Sequence, residues 1–111
     1  ADNWYPGEVL SYRPEYTIEQ RIDVLSARAR QAFHEMMPTR VRRADPGRVY
    51  RKISYGPNVD VFVLDMRSYR GENSANLQPT PNTETAFLGA EQVAWLKREL
   101  NDSDATWKVI A

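Results

Sequence analysis

The chain has 111 residues, with 41% apolar and 27% charged residues, as is ordinary for one small soluble domain. Its formal net charge of zero excludes a global attraction to nucleic acid or anionic membrane, and the absence of cysteine excludes disulfides and thiolate metal ligands. No apolar run approaches the roughly 20 residues of a membrane span, and no segment has the pattern of a signal peptide.

The first predicted element is an amphipathic helix. Residues 17–20 fit a capping box, in which the Thr17 hydroxyl accepts from the third helical N–H group and Gln20 reaches back. The helix is predicted to run to Met36 and to end before Pro38. Its apolar face recurs at three- and four-residue steps and consists of Ile18, Ile22, Leu25, Ala29, Ala32, Phe33 and Met36.

A basic connector and a hairpin follow this helix. From Arg40 to Lys52 the chain carries six basic residues and one acid, which suits either a local anion site or a solvated basic face. Residues 48–55 alternate as a strand, residues 56–58 turn the chain, and residues 59–64 form an apolar run typical of a strand buried on both faces. Because the connection is so short, the two strands are expected to pair antiparallel.

The end of the second strand is the candidate functional position. The apolar run, which is broken only by Asp60, gives way to Asp65, Arg67 and Arg70. Charged groups at the end of a buried strand point to the sheet edge where open α/β folds bind ligands. The alternative is a structural ion pair between Asp65 and Arg67. Residues 68–88 have no periodic pattern and are predicted to be a long loop, either an active-site lid or a surface insertion.

A second helix follows the loop. Gly89 is predicted to be its N-cap, and the helix is expected to run to Leu100. Val93, Leu96 and Leu100 form its apolar stripe, with Trp95 at the edge of that stripe.

A third strand, at residues 106–110, completes a βαβ unit in which it should lie parallel to residues 59–64. The predicted order is helix–β–β–helix–β, an α/β or α+β fragment. Because the chain begins without Met and stops inside an apparent strand, we expect residues 1–111 to be a single partial domain of a longer protein.

Catalytic motifs are scarce in this chain. The chain has no Gly-x-Gly-x-x-Gly, no P-loop and no Gly-x-Ser-x-Gly elbow. His34, the only histidine, has no His or carboxylate four positions later to complete a zinc pair, so it is interpreted as a surface or cap residue. A nucleic-acid surface built on the basic connector is a further interpretation, but the zero net charge opposes it.

Several segments, in order, resemble the PhoD-like phosphatases, the alkaline phosphatase D family. Residues 63–70 are similar to the LD-x-R-x-Y-R strand end of that family. Residues 88–96 and 105–109 resemble its LG-x-x-Q-x-x-WL and A-T-W-K-V motifs. Residues 31–40 are similar to its A-x-x-E-x-M-P-x-R helix end, and Asn3-Trp4 resembles the close of its D-D-H-E…N-N-W segment.

The resemblance implies a calcineurin-like metallophosphoesterase core, a sandwich of two sheets flanked by helices. It implies a secreted or periplasmic enzyme that hydrolyses phosphomonoesters and phosphodiesters with Ca²⁺ and, in characterised members, a ferric ion. The cations of such a site polarise the phosphoryl oxygens and activate water. Since the Asp-Asp-His-Glu and Gly-Asp-x-His ligand motifs of the family are absent here, the main ligands are expected outside this chain, which alone should be inert.

The resemblance carries over to four residues. Asn3 is expected at the metal site and Arg67 at the phosphate, with Asp2 and Asp65 beside them as supporting groups. Asp2 stands where the family usually has Asn. No residue is assigned a catalytic role, and no metal is expected to be fully bound by this chain.

The expected partners are a phosphate mono- or diester substrate and the remainder of the parent domain, without specific nucleic-acid binding. The alternative function is a non-catalytic interaction module that kept the fold and lost the metal site.

Overall fold

Two helices and three strands make up the fold. The computed structural model of the chain describes residues 2–111. In chain order the elements are α1 (Ile22–Met36), β1 (Arg51–Tyr55), β2 (Val59–Val63), α2 (Ala90–Asn101) and β3 (Trp107–Ile110). The predicted order helix–β–β–helix–β is confirmed, and the chain is an α+β fragment.

The strands form one mixed sheet in the order β1-β2-β3. β1 pairs antiparallel with β2, with Lys52 opposite Phe62, and β3 pairs parallel with β2, with Ile110 opposite Phe62. Both predicted pairings are therefore confirmed. Gly56, at the turn of the hairpin, has φ 67°, a left-handed conformation that glycine adopts without strain.

The core lies between the sheet and α2. Its centre is Phe62 and Trp95, with exposed fractions of 0% and 2%, together with Tyr50, whose ring centroid lies 4.9 Å from that of Trp95. The prediction of Trp95 at the edge of the helix stripe is wrong. Because the indole is large enough to reach the hairpin, it fills the space between the two elements, and the aliphatic residues Leu96 and Leu100 pack around it half-buried.

The first helix begins later than predicted. Its first residue is Ile22, and the preceding backbone is extended because Leu10 N donates to Gln20 O at 2.9 Å and Ile22 N donates to Glu8 O at 2.9 Å. These bonds flank an antiparallel bridge between the N-terminal segment and the start of α1. The capping box at residues 17–20 is therefore not formed, and Ile18 is 98% exposed. The predicted end at Met36 is confirmed.

The first strand also begins later than predicted, at Arg51 rather than Arg48. The guanidinium group of Arg51 donates to Val49 O at 2.7 Å and to Arg48 O at 3.2 Å. These side-chain bonds draw both carbonyl groups toward a buried cation, which explains why the preceding residues do not join the sheet.

One face of the sheet is left uncovered by α2. The register places Tyr55, Val59 and Trp107 on one row of that face and Ile53, Val61 and Val109 on the next. Tyr55 is 81% exposed and Trp107 67% exposed. We call this surface the second face of the sheet. No helix of residues 2–111 is long and apolar enough to cross a membrane.

Candidate anion-binding site

Asp65 shapes the backbone just beyond the end of β2. Its Oδ1 atom accepts hydrogen bonds from the backbone amides of Arg67 at 3.0 Å and Ser68 at 2.9 Å. Such a bond pattern is an Asx-turn, which reverses the chain immediately after the strand. The ion pair between Asp65 and Arg67 that the sequence left open is not formed: none of the ion pairs among residues 2–111 involves Asp65. The carboxylate is engaged by backbone amides instead.

Gln92 fixes the other side of this turn. Its Oε1 atom accepts from Asp65 N at 2.8 Å, and its Nε2 group donates to Asp65 O at 2.9 Å and to Leu88 O at 2.7 Å. The side chain is only 1% exposed. A single buried amide thus joins the strand end to the first turn of α2. The sequence held a signal for it, because Gln92 lies four positions before Leu96 and so on the apolar stripe, where a polar residue needs a partner.

Two guanidinium groups meet at the side chain of Asn3. Arg67 Nη1 donates to Asn3 Oδ1 at 2.6 Å, and Arg70 Nη1 donates to the same oxygen at 2.9 Å. The structure therefore brings together the predicted metal-site residue Asn3 and the predicted phosphate-binding residue Arg67. Asn3 has φ 54°, a left-handed conformation that asparagine tolerates better than most residues.

Asn73 completes this arrangement from the long loop. Its Oδ1 atom accepts from Arg70 Nη2 at 2.7 Å and from Asn3 Nδ2 at 3.0 Å, and its Nδ2 group donates to Asn3 O at 2.8 Å. We call Asn3, Arg67, Arg70 and Asn73 the two-arginine cluster. The sequence pointed to Arg70 as one of the charged residues after the second strand, without assigning it a role. It gave no signal for Asn73, which lies 70 residues from Asn3 in a segment without periodicity.

The two-arginine cluster carries two positive charges and no carboxylate. None of the ion pairs among residues 2–111 involves Arg67 or Arg70. Their shared acceptor is a neutral amide, which fixes the geometry without cancelling the charge. Paired guanidinium forks without an acid partner are suited to oxyanions, whose oxygens accept parallel N–H bonds. The cluster is therefore a candidate phosphate site.

The same residues do not form a complete cation site. Among residues 2–111 no group of three or more His, Cys, Asp or Glu side chains is placed to hold a metal ion. Asn3 supplies one neutral oxygen, which already accepts two guanidinium bonds. A cation next to these two arginines would require anionic ligands from elsewhere to offset the repulsion.

Asp2 is exposed and is not joined to the two-arginine cluster by any hydrogen bond or ion pair of the described residues. It acts instead on Arg13. The pKa of Arg13 is raised chiefly by a hydrogen bond with Tyr12, with smaller contributions from the charges of Glu15 and Asp2.

The loop after the cluster is irregular but closed at its base. Residues 68–88 contain no helix or strand, as predicted. Gly71 N donates to Ala86 O at 2.8 Å. A Cβ atom on Gly71 would lie 2.2 Å from Glu84 O, so the two ends of the loop approach each other where only glycine fits. Whether the loop acts as a lid or as a surface insertion stays a prediction.

His34 lies away from the two-arginine cluster. It is in the last turn of α1, near the helix end as predicted, but it is half-buried rather than a simple surface residue. Its ring meets that of Phe33 edge-on at 5.4 Å, and it lines a cavity of about 540 Å³ with Arg30 and Glu35. Neither imidazole nitrogen has a hydrogen-bond partner among the described residues.

Comparisons with known proteins give one family. The model of the PhoD-like phosphatases matches residues 1–111. The chain is 37% identical over 94 residues to alkaline phosphatase D of Bacillus subtilis (strain 168), an alignment that covers 77% of this chain. The chain spans 16% of the length of that relative. No solved structure gives a significant match.

Proposed function

Because this chain belongs to the PhoD-like phosphatase family, we propose that it is a segment of a metal-dependent phosphoric ester hydrolase in which Arg67 and Arg70 bind the phosphate group. The observation that carries the proposal is the pair of guanidinium groups that share Asn3 Oδ1 and have no carboxylate partner among residues 2–111. The substrates of the whole enzyme are phosphate mono- or diesters.

The role of the two arginines follows from their chemistry. Each guanidinium presents N–H donors in a rigid plane that matches the oxygens of a phosphoryl group. Contacts to the oxygens that gain charge during phosphoryl transfer stabilise the transition state. Asn3 and Asn73 hold the two planes at a fixed separation, and Asp65 supports Arg67 by fixing its backbone amide.

The proposed enzyme also needs metal ions, and we assign it Ca²⁺ and a ferric ion. When bound, these cations polarise the phosphoryl oxygens and activate the attacking water. Asn3 would contribute its amide oxygen to that site in place of the bonds it accepts from Arg67 and Arg70, with Asp2 beside it, and the carboxylate and imidazole ligands would come from residues outside 2–111. On this proposal the chain alone has no activity.

The exposed second face of the sheet favours packing of this segment against a partner. Its apolar side chains, led by Tyr55 and Trp107, are more exposed than a single folded unit normally leaves such residues. We propose that the remainder of the parent domain packs on this face as the second layer of a sandwich. The proposal also includes export of the parent enzyme to the periplasm or the medium.

Phosphate binding tests the role of the arginines directly. Inorganic phosphate is titrated into the 111-residue chain and followed by NMR chemical shifts of the backbone amides. Arg67→Gln and Arg70→Gln should each weaken binding about tenfold, because each removes a charge-assisted hydrogen bond. Arg28→Gln, on the exposed surface of α1, should change the affinity less than twofold. Equal effects of the three substitutions would refute the site.

Hydrolysis of a chromogenic phosphodiester tests where the metal ligands lie. The chain is assayed with Ca²⁺ and again with a chelator. We expect no turnover in either condition, because the described residues lack a complete cation site. Turnover that the chelator abolishes would show that these 111 residues hold every necessary ligand, and the location proposed for the ligands would then be wrong.

A further inference from the structure

A second cationic surface, separate from the two-arginine cluster, lies at the connector between α1 and β1. A groove of about 650 Å³ is lined by Thr39, Arg40, Arg42, Arg51 and Lys52, with Pro38, Ile53 and Ser54 completing its walls. We call it the basic groove. It shares no residue with the two-arginine cluster, and the proposed hydrolase function makes no use of it.

Arg51 places a fixed positive charge at the base of the groove. It is only 9% exposed, and its guanidinium nitrogens donate to the carbonyls of Val49, Arg40 and Arg48 at 2.7, 3.3 and 3.2 Å. No ion pair among residues 2–111 involves Arg51. Burial, and after it the charge of Arg42, lowers the pKa of Arg51. The cation is thus held without a counter-ion, next to a second cation.

The rim of the groove adds charge that the described residues do not neutralise. None of their side-chain hydrogen bonds or ion pairs engages the guanidinium of Arg40 or Arg42, and Lys52 alone reaches carboxylates, at 3.4 Å from Glu99 and 3.9 Å from Asp60. The hydroxyl of Thr39 is buried and has no hydrogen-bond partner among the described residues. A buried hydroxyl without a partner is costly, and a bound oxyanion would satisfy it.

We infer that the basic groove binds an anion with two linked phosphate groups, contacted by Arg40, Arg42 and the Thr39 hydroxyl. Two guanidinium forks in the lining of one groove match two phosphate groups better than a single one. The volume lies within the range of small-molecule sites. A nucleic-acid strand fits less well, because the lining offers no aromatic ring on which a base could stack.

The probe for this site is inorganic pyrophosphate, titrated calorimetrically into the 111-residue chain. Arg42→Gln should weaken binding about tenfold, through the loss of a charge-assisted hydrogen bond. Arg43→Gln is the matched control, because Arg43 is the exposed neighbour in sequence and does not line the groove. It should change the affinity less than twofold. Thr39→Val should also weaken binding while circular dichroism shows the fold unchanged.

Three results would overturn the inference. The first is equal weakening by Arg42→Gln and Arg43→Gln, which would mean only diffuse attraction to a basic surface. The second is loss of pyrophosphate binding in Arg67→Gln, which would place the ligand at the two-arginine cluster. The third is tighter binding of a single-stranded oligonucleotide than of pyrophosphate, with a steep salt dependence, which would identify a nucleic-acid surface. If Arg67→Gln retains pyrophosphate binding, the ligand is bound at the basic groove and not at the two-arginine cluster. The outcome of this test is then independent of the hydrolase proposal.

Discussion

Asp60 is a buried acid in the middle of an apolar strand, with an exposed fraction of 6%. A charge at such a position is tolerated only when it is paired and hydrogen-bonded. Ser103 donates to Asp60 Oδ2 at 2.5 Å, and Lys52 Nζ lies 3.9 Å from the same oxygen. The hydrogen bond from Ser103 is the largest cause of the lowered pKa of Asp60, followed by one from Ser54. The residue that interrupts the apolar run thus anchors the segment after α2 to the sheet.

The first prediction concerns this pair. Because the pKa of Asp60 is lowered in the folded state, its contribution to stability is complete above the unfolded pKa of about 3.9 and is lost as the pH falls through the lower folded value. Ser103→Ala should raise the pKa of Asp60 and move acid unfolding to higher pH. NMR titration of the carboxyl carbon and acid titration followed by circular dichroism measure the two effects. Ser11→Ala, in an exposed turn, serves as the control. An unchanged pKa in Ser103→Ala would contradict the assigned cause.

At the scale of elements, the junction of β2 with α2 determines where the two-arginine cluster stands. Gly89 has φ 77°, and a Cβ atom there would lie 2.8 Å from Tyr69 Cβ, so the helix can begin this close to Tyr69, in the segment that follows β2, only with glycine. Gln92 then bonds both backbone polar groups of Asp65. The turn that carries Arg67 is therefore fixed by the helix as well as by Asp65 itself.

The second prediction is that Gln92→Leu destabilises the fold. The substitution keeps an apolar stripe but leaves the N–H and C=O groups of Asp65 and the carbonyl of Leu88 without their partner. Unpaired buried polar groups cost about 1–3 kcal/mol each, so the three groups at the lower end of this range predict a loss of about 3 kcal/mol in the free energy of unfolding by urea.

The matched control is Gln31→Leu, on the exposed surface of α1, where a change of at most about 0.5 kcal/mol is expected. If both substitutions had the same effect, Gln92 would not be the link between β2 and α2. Weaker phosphate binding by Gln92→Leu would further show that this link positions Arg67.

Local sequence patterns were sufficient to predict the helices and strands, but they were insufficient to predict the contacts between them. Periodicity and short connections predicted α2, the hairpin and the end of α1, because each depends on neighbours in sequence. The predicted start of α1 was wrong. The helix begins where the backbone of Gln20 and Ile22 stops pairing with Leu10 and Glu8, and no local pattern encodes that pairing. The two-arginine cluster was only half predicted for the same reason. Its members Asn3 and Asn73 lie far apart in the chain, and the family motifs covered only the first of them.

At the scale of the molecule, the sheet is covered on one side only. The core of Tyr50, Phe62 and Trp95 lies under α2, whereas the second face presents apolar side chains over all three strands. β1 and β3 are both edges of the sheet, with backbone groups open to pairing. Large apolar patches of this kind mark interaction surfaces in folded proteins. The 111-residue chain accordingly has a surface that favours association.

The third prediction is that the isolated chain self-associates through the second face. Sedimentation velocity over a range of protein concentrations should show reversible association. Trp107→Lys should weaken it about tenfold, which corresponds to ~1.4 kcal/mol, because a charge replaces an apolar ring that is 67% exposed on this face. Leu77→Lys is the control, since Leu77 is 85% exposed but lies in the loop away from the sheet. A chain that stays monomeric at every concentration, or an equal effect of both substitutions, would refute the prediction. Association that is lost with Trp107→Lys while phosphate binding persists would separate the surface that packs from the surface that binds.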